Sequence, residues 1–149
     1  MKFGGTSVAT LEKIRKVAKT VKAESINHKI VVILSAMAGV TNELQKLINE
    51  VNFKASKEAD LILTSGEQVT IGLLSMLLKK EGIKSIPLLG WQIPIVTDDH
   101  HEKGRILNIN NENLFEYFES YDVIVLAGFQ GVNINGYIAS LGRGGSDTT

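Results

Sequence analysis

The first residues of the chain combine a lysine with a pair of glycines and two hydroxyl side chains, in the run Lys2-Phe3-Gly4-Gly5-Thr6-Ser7. Paired glycines let backbone amides approach an anion closely, and a helix start after them adds a partial positive charge. Lys2 adds a full charge beside those amides. The run is neither a Walker loop nor a dinucleotide fingerprint. By itself it therefore favours a phosphate-holding turn no more than an ordinary strand-to-helix turn.

A second cluster near the other end of the chain has complementary chemistry. The run Arg143-Gly144-Gly145-Ser146-Asp147 contains a permanent cation, two glycines and a carboxylate. Arginine pairs with a carboxylate or phosphate through two parallel hydrogen bonds, and the glycines allow amides to come close to the same group. A flexible surface turn is the alternative. The two clusters together favour a site for anions.

Composition narrows the class of protein. The 149 residues carry 16 basic and 16 acidic side chains and include no cysteine. Nucleic-acid-binding proteins usually show a basic excess, so we expect no nucleic-acid partner. No run approaches the roughly 18 consecutive apolar residues of a membrane helix, and we expect neither a membrane span nor a secretory signal. The absence of cysteine excludes disulfides and thiolate metal sites and is compatible with a cytoplasmic location.

Two continuous apolar runs predict strands that are covered on both faces, as in the interior of a parallel sheet. They are Ile30–Leu34 and Val123–Ala127. Shorter strands are expected at residues 1–3, 85–89, 93–97 and 106–109. Helices alternate with these strands, so the sequence predicts an α/β layered fold with a mainly parallel sheet. Polar and glycine-rich turns follow residues 3, 34 and 127, and should meet along one edge of the sheet.

Apolar residues at helical spacing predict the helices. They are expected after Thr10, after Thr41, over residues 54–63, over residues 68–80 and after residues 110 or 111. Thr10 and Thr41 are the expected N-caps, and Ser65-Gly66-Glu67 is expected to interrupt the helical region. The inner face of the second helix is expected to be formed by Leu44, Leu47, Ile48 and Val51.

Three other features have a simple structural interpretation. The run Asp98-Asp99-His100-His101-Glu102 could be a metal cluster, but adjacent side chains seldom point at one ion, so a solvated loop is favoured. Trp91 could stack on a base, and a partly buried packing role is favoured instead. The charged segment 54–60 is expected to be an exposed helix start.

Four motifs resemble, in the same order, the signatures of aspartokinases. They lie at residues 2–8, 35–42, 65–67 and 142–149. Acetylglutamate, glutamate, carbamate and UMP kinases share each motif loosely, and the four together favour aspartokinase. The resemblance implies the amino acid kinase fold, in truncated form. This fold is a three-layer αβα sandwich with a mainly parallel sheet.

The resemblance also implies a role for individual residues. Lys2 and Asp147 would be catalytic, the first at the transferring phosphoryl group and the second ordering the cations around the phosphates. The ATP phosphates would be held by Lys2, Gly4, Gly5 and Ser35. Aspartate would be bound by Thr41, Glu67, Arg143, Gly144, Gly145 and Ser146. Glu67 would bind the substrate ammonium group or anchor a lysine beside it, and Arg143 would pair with a carboxylate. No protein metal site is expected.

The implied reaction is phosphoryl transfer from ATP to the side-chain carboxylate of L-aspartate, giving 4-phospho-L-aspartate. It is the first step of lysine, threonine, methionine and diaminopimelate biosynthesis. A carboxylate with a pKa of about 4 is already ionised and needs no general base. The difficulty is the approach of two anions, which cationic side chains, backbone amides and Mg²⁺ carried by the nucleotide would offset.

The chain also differs from the family pattern. Only Met1 precedes Lys2, so the first strand is expected to pair poorly, and Ala139-Ser140 stands where two threonines are more usual. Residues 1–149 would form the amino-terminal, substrate- and phosphate-binding part of the kinase domain. The nucleotide-base half and the regulatory ACT domains would be absent. The chain would be a catalytic segment, active in the complete enzyme or with a separately encoded, complementing carboxyl-terminal half, and a homo-oligomer is a possible partner. The alternative is a non-catalytic remnant that binds aspartate or a partner chain.

Overall fold

The computed structural model describes residues 1–52, 56–109 and 112–142, without the side chains of residues 112 and 113. Its elements follow the expected alternation of strands and helices. In chain order they are β1 (Lys2–Phe3), α1 (Leu11–Ser25), β2 (Ile30–Leu34), α2 (Val40–Val51), α3 (Lys57–Leu63), α4 (Ser65–Lys80), β3 (Ser85–Leu88), β4 (Ile95–Thr97), β5 (Ile106–Ile109), α5 (Glu112–Ser120), β6 (Val123–Ala127), β7 (Gln130–Asn133) and β8 (Ile138–Ser140).

The main sheet has the strand order β1-β2-β6-β3, and every neighbouring pair in it is parallel. The two predicted interior strands, β2 and β6, pair along their whole length, from Ile30 opposite Val123 to Leu34 opposite Ala127. The short β1 still pairs with β2, because Ile33 and Ser35 donate to the carbonyls of Met1 and Phe3. The parallel arrangement puts the carboxyl ends of these strands at one edge, as predicted.

Helices cover this sheet on both faces. On one face α1 and α4 bury Ile14, Val21 and Leu74 against β2 and β6. On the other face Leu88, Ile95 and Ile124 form a second cluster, on which Leu114, Tyr117 and Phe118 of α5 pack. The predicted α/β sandwich with a mainly parallel sheet is confirmed.

A second sheet, in the order β5-β4-β7-β8, continues from the carboxyl end of β6. It is mixed, since β4 pairs parallel with β7 while β4–β5 and β7–β8 are antiparallel. Close packing requires glycine at position 131, because a Cβ there would lie 2.5 Å from the carbonyl oxygen of Ile95. This sheet brings the 98–104 loop and the end of β8 next to α3.

The N-cap predicted from the sequence is confirmed for α1 and wrong for α2. Thr10 caps α1 by accepting a 3.3 Å hydrogen bond from the backbone N–H of Lys13, as predicted. The expectation that Thr41 caps α2 is wrong, since Gly39 takes that position with φ 91° and Thr41 lies in the first turn. A glycine suits this place because left-handed backbone is strained for other residues.

The apolar face of α2 also differs from the prediction. Ile48 is buried and Leu44 packs beside it. Leu47 and Val51 are 57% and 74% exposed, so their assignment to the inner face is wrong. The helix packs mainly against α3. This contact buries a narrower apolar stripe of α2 than the spacing of its apolar residues predicted.

Two further expectations need correction around α3 and α4. Ser65-Gly66-Glu67 does not interrupt the helical region but forms the first turn of α4. Of the segment expected to be an exposed helix start, residues 56–60 are described, and Asp60 at its end is fully buried. Trp91, which precedes β4, is 49% exposed, so about half of its surface is buried. The burial of Asp60 and the helical start at residues 65–67 both depend on contacts with distant parts of the chain.

The segment Lys57–Lys80, which comprises α3 and α4, is long and apolar enough to cross a membrane, the one such stretch in the part of the chain described. Half of its most apolar window is buried inside the protein. Ile71, Leu74 and Leu78 belong to the main core. Packing in the core therefore accounts for part of its apolar character, while Leu61, Val69 and Met76 are exposed.

Candidate functional site

A cleft of about 900 Å³ opens at the carboxyl edge of the main sheet. Its walls come from the turns after β1, β2 and β6, the first turns of α2 and α4, and the 98–104 loop. The lining residues are Gly5, Ser35, Ala36, Met37, Ala38, Gly39, Thr41, Asn42, Gln45, Asn49, Leu63, Glu67, Glu102, Lys103, Phe129 and Gly142. The turns that the sequence predicted to meet do so here.

Glu67 is the buried acid of this cleft, with 2% of its surface exposed. Its Oε1 accepts a 2.9 Å hydrogen bond from the backbone N–H of Ala36. Its Oε2 is buried and has no hydrogen-bond partner among the described residues. Burial raises the pKa of Glu67 from 4.5 to about 7, although the Ala36 amide acts in the opposite direction. An unpartnered carboxylate oxygen in a cleft is suited to bind a cationic group.

Close packing fixes α4 against the turn after β2. A second hydrogen bond runs from Thr70 Oγ1 to the carbonyl of Ser35, at 3.0 Å. Gly66 lies so close to this turn that a Cβ there would be 2.7 Å from the Cβ of Ala36 and 3.2 Å from Val40 Cγ1. The sequence analysis missed the role of Thr70. Its position three residues after Glu67, on the same helical face, was the available signal.

The amino terminus of α2 forms another wall. Gly39, Thr41 and Asn42 line the cleft there. The first backbone N–H groups of a helix lack intrahelical partners and carry partial positive charge, so this wall attracts anions. Thr41 thus lies at the cleft as predicted, although it is not a cap. Gln45 and Asn49, one and two turns further on, add amide groups that the sequence analysis did not identify.

The 98–104 loop closes the opposite side with charged residues that the sequence analysis also missed. Glu102 and Lys103 line the cleft. Glu102 has φ 59°, an unusual backbone conformation for a residue with a side chain. Its backbone N–H donates a 2.9 Å hydrogen bond to Oδ1 of the buried Asp60. The loop is therefore anchored from beneath by α3.

The structure brings together only part of the predicted site. Gly5, Ser35, Thr41 and Glu67 line one cleft. Lys2 and Gly4 belong to the strand and turn that lead into it, with Lys2 exposed. The other predicted site residues, Arg143, Gly144, Gly145, Ser146 and Asp147, lie outside the described residues. Gly142, the last described residue before them, is at the cleft wall.

In the 98–102 loop, Asp98 pairs with the neighbouring His100, whereas Asp99 and His101 contact other segments. Asp98 accepts hydrogen bonds from the backbone of Arg105 and His100, and these bonds lower its pKa. Asp99 accepts from Asn133, and His101 contacts Asp60. No group of three or more metal-binding side chains is found within the described part of the chain.

Comparison with known sequences gives a consistent relationship. The sequence model of the amino acid kinase family matches residues 1–149. The chain is 47% identical to an aspartokinase of Rickettsia felis and 47% identical to an aspartokinase of Pseudomonas aeruginosa. Each match covers 99% of this chain but 38% and 36% of those two proteins. The chain thus spans little more than a third of the length of these curated relatives.

Solved structures agree with this relationship. The crystal structure of aspartate kinase from Synechocystis superposes with a TM-score of 0.81 at 37% identity, over 99% of this chain and 24% of that chain. E. coli aspartokinase III in complex with aspartate and ADP gives a TM-score of 0.80 at 21% identity, over 98% of this chain and 44% of that chain. The second likeness, at low identity, shows the fold alone.

Proposed function

The chain belongs to the amino acid kinase family, and within it we propose that residues 1–149 are the amino-terminal, substrate- and phosphate-binding part of an aspartate kinase. The reaction is transfer of the γ-phosphoryl group of ATP to the side-chain carboxylate of L-aspartate. The observation that carries the proposal is the similarity to aspartokinases over nearly the whole chain. The nucleotide-base half and any regulatory domains would follow these residues in the complete protein.

Glu67 supports aspartate as the acceptor. Its buried Oε2 has no hydrogen-bond partner within the described residues. A cation beside it would stabilise the ionised carboxylate, and the α-ammonium group of an amino acid is such a cation. The amino terminus of α2, with Thr41 in its first turn, offers partial positive charge to a carboxylate of the same molecule. A zwitterion with a second carboxylate fits both features, because one wall attracts its ammonium group and the other an anionic end.

The phosphates of ATP belong at the turn after β1. Gly4 and Gly5 offer backbone amides, Lys2 offers a full charge, and Ser35 lies in the adjacent turn of the cleft. Mg²⁺ would arrive with the nucleotide and offset the charge that develops on the phosphoryl oxygens. Catalysis consists of positioning and electrostatic stabilisation, since the acceptor carboxylate is already ionised.

Residues 143–147 complete the proposed site on sequence grounds. Arg143 would pair with a carboxylate of aspartate, with Gly144, Gly145 and Ser146 beside it. Asp147 would order the cationic groups at the phosphates. They follow directly on Gly142 in the sequence, and Gly142 lies at the cleft wall.

The cellular setting follows from the same proposal. The product, 4-phospho-L-aspartate, leads to lysine, threonine, methionine and diaminopimelate. Residues 1–149 contain no cysteine, which is compatible with the reducing cytoplasm, and we propose that location. A homo-oligomer or a complementing carboxyl-terminal half would supply the remaining wall of the phosphate site.

The test is formation of an acyl phosphate, trapped with hydroxylamine as the hydroxamate. Three samples are compared: the full-length product of the gene, residues 1–149 alone, and residues 1–149 mixed with a carboxyl-terminal half of a related aspartokinase. We expect hydroxamate that depends on both aspartate and ATP in the first and third samples. Its absence from both samples would overturn the proposal, and aspartate that still binds without being phosphorylated would support the non-catalytic remnant.

A further inference from the structure

A buried carboxylate outside the cleft joins the segments that form one of its walls. Asp60 of α3 is fully buried. Its Oδ1 accepts from the backbone N–H and the hydroxyl of Ser140, at 3.1 and 2.6 Å, and from the backbone N–H of Glu102 at 2.9 Å. Its Oδ2 lies 2.7 Å from Nδ1 of His101. These partners are 41 to 80 residues away along the chain.

Each partner belongs to a segment that reaches the cleft. His101 and Glu102 precede Lys103, and both Glu102 and Lys103 line the cleft. Ser140 ends β8, two residues before Gly142 in the cleft wall. The two segments approach each other there, since a Cβ on Gly142 would lie 4.0 Å from the Cα of Lys103. Asp60 is thus the common anchor of the loop and of the strand end.

The geometry around Asp60 requires a strong acceptor. Glu102 has φ 59°, a conformation that persists in a non-glycine residue only where its surroundings hold it. Burying a carboxylate is unfavourable unless several donors surround it, and here two backbone amides, a hydroxyl and an imidazole do so. A purely packing role would be met by an apolar side chain of the same size, without these directional bonds.

We propose that Asp60 is a positioning residue for the acceptor side of the cleft, acting through Ser140 and Glu102 rather than by touching a substrate. This inference rests on the proposed aspartate kinase function. Losing the carboxylate frees the end of β8 and the 101–103 loop together, which moves Gly142 and Lys103. The binding of aspartate is weakened as a result, while the nucleotide side of the site, at β1, is not connected to Asp60 by any of these bonds.

The test compares Asp60→Ala, Asp60→Asn and Ser140→Ala in the full-length protein. The matched control is Asp122→Asn. Oδ1 of Asp122 lies 3.0 Å from Nζ of Lys29, and this ion pair is at the opposite edge of the sheet from the cleft. Kinetics are measured by hydroxamate formation at varied aspartate and varied ATP. Hydrogen exchange of peptides covering residues 98–104 and 138–142 reports the local structure.

We expect Asp60→Ala to raise KM for aspartate about tenfold, equivalent to the loss of one or two buried hydrogen bonds, with KM for ATP unchanged. Exchange should rise in both peptides at once. Asp60→Asn keeps one acceptor oxygen and should recover most of the aspartate KM. Ser140→Ala should give a smaller rise in KM and faster exchange in the 138–142 peptide. Asp122→Asn should change neither KM nor exchange in these peptides.

The kinetic constants distinguish a positioning role of Asp60 from a role in folding alone. If Asp60 only supports folding, Asp60→Ala lowers the active fraction, so kcat falls and KM for aspartate stays at the wild-type value, which overturns the inference. An unchanged exchange rate in both peptides overturns it as well. Failure of the proposed function is recognised separately, because the wild-type protein itself then makes no hydroxamate.

Discussion

The backbone N–H of Ala36 donates a 2.9 Å hydrogen bond to Oε1 of Glu67, and so joins the turn after β2 to the first turn of α4. The second oxygen of the same carboxylate is buried without a partner among the described residues. Burial raises the pKa of Glu67 to about 7. The protonation state of one side chain is therefore linked both to the stability of the fold and to the charge that the cleft offers a ligand.

The stability of the protein should depend on this group between about pH 4.5 and 7. The pKa of Glu67 rises from 4.5 to about 7 on folding, so the folded state holds the proton more tightly and its stabilisation is lost as the pH rises. A shift of this size corresponds to roughly 3 kcal/mol. Glu67→Gln has no titrating group at this position. Urea unfolding should show that its free energy of unfolding, relative to that of the wild type, increases by roughly 2–3 kcal/mol from pH 5 to pH 8. Parallel pH profiles of the two proteins would contradict the burial of this acid.

Binding of aspartate should release a proton at pH values near 6. A positive ammonium group beside Glu67 favours its ionised form and lowers its pKa, so a carboxyl that is mostly protonated before binding must lose its proton. Calorimetric titration in two buffers of different ionisation enthalpy measures the number released, which should approach about one at pH 6. The same titration at pH 8.5 is the control and should show none. Equal proton release at both values would argue against contact between Glu67 and the ammonium group.

The position of the cleft could be predicted because it follows from local patterns. Two continuous apolar runs identify β2 and β6 as interior strands, and parallel strands bring the turns that follow them to one edge. Ser35 and Gly5 could be assigned to the cleft on that basis. Thr10 could be identified as a cap because the cap is made within its own helix.

Residues whose roles depend on distant contacts could not be predicted. Asp60 lies in a charged segment, and only its bonds to His101 and Ser140, 41 and 80 residues away, explain its burial. Lys103 reaches the cleft because that same anchor fixes its loop. The start of α4 was missed because Ser65 and Gly66 are weak helix formers, whereas packing against Ala36 stabilises the helix there.

Replacement of Gly66 tests the close contact between α4 and the turn after β2. In Gly66→Ala the new methyl group would lie 2.7 Å from the Cβ of Ala36, so the turn or the helix must move. Thermal or urea unfolding should show a loss of about 1–3 kcal/mol, and KM for aspartate should rise because Glu67 shifts with the helix. Gly72→Ala is the matched control, since nothing lies within 4 Å of its Cβ. That change should stabilise by about 0.5–1 kcal/mol, as alanine is the better helix former; a loss equal to that of Gly66→Ala would contradict the packing argument.

Two threonines near helix starts should respond differently to alanine. Thr10→Ala removes the hydrogen bond to the backbone N–H of Lys13 and should lower the free energy of unfolding by about 1 kcal/mol. Thr41→Ala removes no cap, because Gly39 holds that position, so its stability should change by less than about 0.5 kcal/mol. Its KM for aspartate should rise instead, while that of Thr10→Ala stays at the wild-type value. A large stability loss in Thr41→Ala would indicate that the hydroxyl caps α2 after all.

The central claim is that this cleft selects an acceptor with an ammonium group, through Glu67, and phosphorylates its carboxylate. The most direct measurement compares hydroxamate formation by the full-length protein with L-aspartate and with N-acetyl-L-aspartate, at saturating ATP. N-acetylation keeps both carboxylates but removes the positive charge that the buried carboxylate of Glu67 would pair with. We predict ready turnover of L-aspartate and none detectable of the acetylated compound. Equal turnover of the two, or turnover of the acetylated compound alone, would contradict the account.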